Sequence, residues 1–86
     1  MTSRLILVRA LWDDDARVWV ASSEDVAGLV TEADTLELLR EKILVIIPEL
    51  LAENGVVSDF AEIPVHIIAE QTARISNPAP PMLAVP

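Results

Sequence analysis

The chain has no cysteine and only two glycines, and aromatic residues make up just 3% of its 86 positions. Without cysteine there is no disulfide framework, no thiolate nucleophile and no zinc site built on paired cysteines. A reducing, cytoplasmic setting is therefore expected. Cations are also scarce: six Lys and Arg stand against fourteen Asp and Glu, for a net charge of −8. No basic cluster interrupts that excess, so the surface should repel nucleic acid and attract a basic protein. Long apolar runs are missing too. The first run ends at Arg9 and the stretch from Ile43 to Ile47 is far short of a membrane span, so no membrane or export signal is expected.

What is abundant is aliphatic carbon. Hydrophobic residues make up 52% of the chain and its mean hydropathy is +0.44, which is apolar for a domain of 9.4 kDa. A chain of this length buries only roughly 60–65% of its unfolded surface, so one modest core is the limit and some apolar surface should be left over.

Residues 4–12 alternate as a strand, with Ile6, Val8, Ala10 and Trp12 on one face and Leu5, Leu7, Arg9 and Leu11 on the other. Asp13, Asp14 and Asp15 favour a turn, and residues 17–21 resume the strand pattern, giving a hairpin whose register the sequence leaves open. The polar stretch from Ser22 ends at Gly28, a turn glycine, before a short third strand around residues 29–31. Asp34 and Thr35 are both good helix N-caps, and Asp34 with Glu37 has capping-box spacing. An apolar stripe of Leu36, Leu39, Ile43, Ile46 or Ile47, and Leu50 then predicts a helix of about 18–20 residues stopped at Gly55. Pro48 lies inside it, where a missing N–H predicts a kink or loosened turn. Residues 56–61 read as a loop and residues 63–72 as a fourth strand. Pro78, Pro80, Pro81 and Pro86 mark 76–86 as a proline-rich tail following a single domain over 1–75.

The string Trp12-Asp13, Val18-Trp19-Val20-Ala21, Asp25-Val26-Ala27-Gly28-Leu29 and Thr31 to Leu36 resembles HicB-like antitoxin domains over roughly residues 4–70. It is especially similar to a group of short HicB-related bacterial proteins of unknown function. The resemblance implies a partial RNase H-like α+β fold of order β-β-β-α-β. Three strands would form an antiparallel meander, a fourth would lie beside and parallel to the first, and one long helix would cover one face. It also implies a domain that masks a small basic HicA-like toxin. Ala27 stands where the family turn carries proline, a change worth about 1 kcal/mol at most. Residues 73–86 are too few and too proline-rich for the DNA-binding segment that accompanies such antitoxins.

No catalytic, metal or cofactor site is expected. The three aspartates lack EF-hand spacing, His66 has no second histidine or nucleophile to act with, and Ser22 and Ser23 sit in no nucleophile elbow. The candidate functional residues are instead surplus aliphatics, because one helix cannot cover both sides of a sheet. Leu5, Leu7, Leu11 and Ile68 on the sheet, with Leu38 and Val45 on the helix, form the candidate interface. Gly28, Asp34, Thr35, Pro48 and Gly55 are its structural turns and caps. A homo-oligomer, formed through the outer sheet face or a sheet edge, is the expectation that follows, with a stand-alone self-associating domain as the alternative to toxin masking.

Overall fold

The computed structural model describes residues 5–55 and 62–79. Strands β1 (Ile6–Asp13), β2 (Val18–Ser22) and β3 (Val30–Ala33) are followed by helix α1 (Leu36–Glu53) and strand β4 (Val65–Glu70). The sheet order is β3-β2-β1-β4, with β1 antiparallel to β2, β2 antiparallel to β3, and β4 parallel to β1. This is the α+β arrangement that the order of elements and the resemblance together lead one to expect. The expected loop at 56–61 and the proline tail beyond residue 79 lie outside the described residues.

Alternation in β1 sets the layers. Ile6, Val8 and Ala10 are buried, and they join Ala21, Ala33, Leu39, Ile43 and Ile47 in the core, which two loop residues, Val26 and Leu29, complete. The first hairpin closes through the polar turn: the Asp13 carboxylate accepts the N–H groups of Asp15 and Ala16, and its carbonyl accepts that of Arg17 at 2.7 Å. Arg17 takes the left-handed conformation, φ +60°. The resulting register pairs Trp12 with Trp19, rings 5.3 Å apart and edge to face, so both tryptophans share the helix-facing side. Trp19 packs on the core, while Trp12 lies at its margin beneath the Arg17 guanidinium.

Several local expectations shift. The third strand starts one residue later and runs to Ala33, because Leu29 turns inward beside Val26 and is buried. Thr35, not Asp34, is the N-cap: its Oγ1 accepts the Leu38 N–H at 3.1 Å. With Thr35 in that place Leu38 occupies the third helical position, and a leucine cannot complete a capping box. Leu36 leaves the apolar stripe and is exposed at the first turn; Leu39, Ile43 and Ile47 are the buried positions. Pro48, where a kink or loosened turn is expected, lies inside a helix that is continuous to Glu53. It sits on the exposed side with Leu44 and Val45, where an unpaired carbonyl can bond water instead. Gly55, φ +72°, ends the helix as read.

The helix approaches β3 and β2 most closely, and its buried face also packs in one core with the inward residues of β1. Its far end is tied to the loop before β3. Asn54 donates to the Ala27 carbonyl, and Gly28, φ +87°, brings the backbone against Leu50, where a Cβ would sit 3.6 Å from Cδ2. Lys42 reaches down to the Glu32 carbonyl of β3 at 2.7 Å. On the other flank, Val65 and Ile67 of β4 face the core side but stay only half-buried, and Ala69 is exposed.

Candidate functional site

Because side chains alternate along a strand, the residues between the core positions all face the other way. Register sets them out in rows. Val30, Ser22, Arg9 and Ile68 lie across the sheet in one row, and Glu32, Val20, Leu11 and Glu70 in the next, with Leu7 beside His66. Leu5 precedes this row and Val18 closes it beside Asp13. Among the described residues no element covers this outer face. Leu5, Leu11 and Val30 are 54%, 51% and 73% exposed, and Leu7, Val18, Val20 and Ile68 are half-buried only by their neighbours in the sheet.

The polar groups on this face are few and mostly anionic. Arg9 pairs with Glu70 at 3.2 Å, a diagonal contact between β1 and β4 with both partners more than half exposed. Such a pair contributes about 0–1 kcal/mol and leaves Arg9 with no charge to spare. Glu32, Asp13 and the nearby Glu24 and Asp25 give the rim a negative sign. Where β2 has diverged from β1, two side chains replace the missing strand: Ser23 Oγ donates to the Leu7 carbonyl at 2.6 Å, and Asp25 accepts the Leu7 N–H at 2.8 Å. The Ser23 hydroxyl also accepts the Asp25 N–H, so its bonding is structural.

Of the candidate interface residues, the fold brings Leu5, Leu7, Leu11 and Ile68 onto this one face. Leu38 and Val45 are exposed, but they belong to the helix layer. Leu38 borders a shallow hollow with Val18 and Glu32 at the β3 edge, and Val45 lies two turns further along the helix. Sequence reasoning missed Val18, Val20 and Val30. The alternation of β2 separated the valines from Trp19 and Ala21, but without the register it could not say on which side of the sheet they lay. His66 stands exposed opposite Leu7. Among the described residues, no group of three His, Asp or Glu side chains is placed to hold a metal ion, and no helix is long and apolar enough to cross a membrane.

Among the described residues, fold and surface together define a small two-layer α+β domain whose sheet is covered by the helix on one side and is uncovered and partly apolar on the other. The chain belongs to the family described as domain of unknown function DUF1902, whose model matches residues 5–77. It is similar in structure to the hypothetical protein TTHA1013 of the extremely thermophilic bacterium Thermus thermophilus. The two are 51% identical, with a TM-score of 0.65 over 86% of this chain and all of that one. No curated protein matches the chain. Neither the family nor the structural relative carries a statement about antitoxins.

Proposed function

We propose that this domain is a non-catalytic protein-binding module that receives a small basic protein on the outer face of its sheet. The observation that supports this most directly is that face itself. Leu5, Leu7, Leu11, Val20 and Ile68 stand there around the Arg9–Glu70 pair, an apolar area on the order of several hundred Å², which is a size that usually marks an interface. Its acidic rim, in a chain of net charge −8, would steer a cationic partner toward it and set the orientation of docking. The resemblance to HicB-like domains points to the same class of partner, a small basic toxin whose working surface the sheet would occlude.

The test is purification from the native host at low salt, with the Leu11→Glu variant as control. A small basic protein that binds the purified chain directly, comes off as salt rises and is lost in the variant supports the reading. So does rescue of growth when the chain is co-expressed with a neighbouring toxin-like reading frame. If the purified chain binds no such protein and rescues no such toxin, the reading fails.

A further inference from the structure

A second surface lies at the opposite flank from β3. Among the described residues, β1 pairs with β4 on one side and no strand pairs with β4 on the other, which leaves a six-residue open edge. The helix approaches β3 and β2 most closely, and the core-facing side chains of this flank, Val65 and Ile67, are half-covered.

The chain leaves this strand as an arm. Gln71 to Asn77 continue without helix, turn or bend, and every one of them is exposed, Ile75 by 89%. The arm has the composition of a strand without a partner. It contains no proline, so each residue keeps its N–H, and Ala73 and Ile75 alternate with Thr72, Arg74 and Ser76. Pro78 then ends its capacity to pair. The family match extends to residue 77, past the end of the folded sheet at Glu70, so the arm lies within the region that defines the family.

We propose that this arm pairs with a second copy of the chain. Residues 65–77 of the two copies would run antiparallel about a two-fold axis at Gln71, each arm lying along the open edge of the other copy's β4. In that register Ile75 stands opposite the partner's Ile67, and Ala73 opposite the partner's Ala69. Both pairs have the same pleat parity, on the side where this flank lacks cover. Arg74, the arm's one charge, stands diagonally from the partner's Glu70, so a cation meets a carboxylate although the chain as a whole is acidic. The contact is isologous and uses up both edges, so assembly stops at two copies. Thirteen residues a side fall below the number in a standard interface, which points to a dimer that dissociates at low micromolar concentration.

This contact is separate from the outer face, and the experiment separates the two. Sedimentation equilibrium of the full chain from low micromolar to near-millimolar concentration should show the mass rising from 9.4 kDa toward twice that value. Ile75→Asp should hold the chain at monomer mass with its circular dichroism unchanged, because Ile75 is 89% exposed, while Leu11→Glu should leave the dimer in place. As the chain has no cysteine, Gln71→Cys adds a single thiol, and under oxidation it should cross-link into a covalent dimer. The proposal is overturned by a monomer at every concentration. It is equally overturned by a dimer that survives Ile75→Asp, or by a dimeric Gln71→Cys chain that does not cross-link.

Discussion

The two flanks of the sheet differ in how they are finished. At the β3 flank the edge strand is only four residues long, the helix lies over it, Lys42 occupies one of its carbonyls, and Asn54 and Gly28 tie the helix end to the preceding loop. At the β4 flank the edge strand has six residues, side chains facing the core are half-covered, and the chain departs as an exposed arm. One helix is about 10 Å wide and a four-stranded sheet is about twice that, so a single helix can finish only one flank. What is left bare is where association is to be looked for.

The largest test of this contrast is truncation on either side of it. Ile43→Ala, on the buried face of the helix, should cost about 2–5 kcal/mol in denaturant unfolding, and Ile67→Ala on the half-covered flank should cost clearly less. Equal losses would mean that the two flanks are equally packed. Next in size is Gly28→Ala. Its φ of +87° disfavours a side chain and should cost about 1–2 kcal/mol in thermal unfolding, and Gly55→Ala, at φ +72°, should cost about as much, because the 3.6 Å approach to Leu50 at Gly28 is an ordinary contact. Thr35→Ala should remove about 1 kcal/mol of stability, and Asp34→Ala should stay within about 0.5 kcal/mol. The reverse order would move the cap to Asp34. Smallest is Arg9→Ala, at roughly 0–1 kcal/mol and diminishing with salt, because the Glu70 pair is exposed.

Much of this fold is readable from residue order. Ile6, Val8 and Ala10 alternate cleanly, Leu39, Ile43 and Ile47 keep helical spacing, and Gly55 follows Asn54 at the stop. What could not be read depends on positions that sequence does not encode locally. The hairpin register is set by an aspartate turn ending in a left-handed arginine, with none of the glycine or asparagine signals that identify a turn type. Thr35 prevails over Asp34 because it is Thr35 whose extended backbone carries its Oγ1 to the Leu38 N–H. That the loop residues Val26 and Leu29 fold inward to complete the core is likewise decided only by tertiary packing. For the candidate site, the leucines of β1 and Ile68 were visible as surplus. Their assembly with Val20 and Val30 into one surface required the strand order.

The pleat of β4 has a consequence of its own. His66, Ile68 and Glu70 form the outermost row of the bare sheet face, and the backbone of the same six residues forms the open edge. A ligand on that face would meet the side chains of this strand and a neighbour on that edge its backbone, so one six-residue segment presents two different surfaces at right angles to each other.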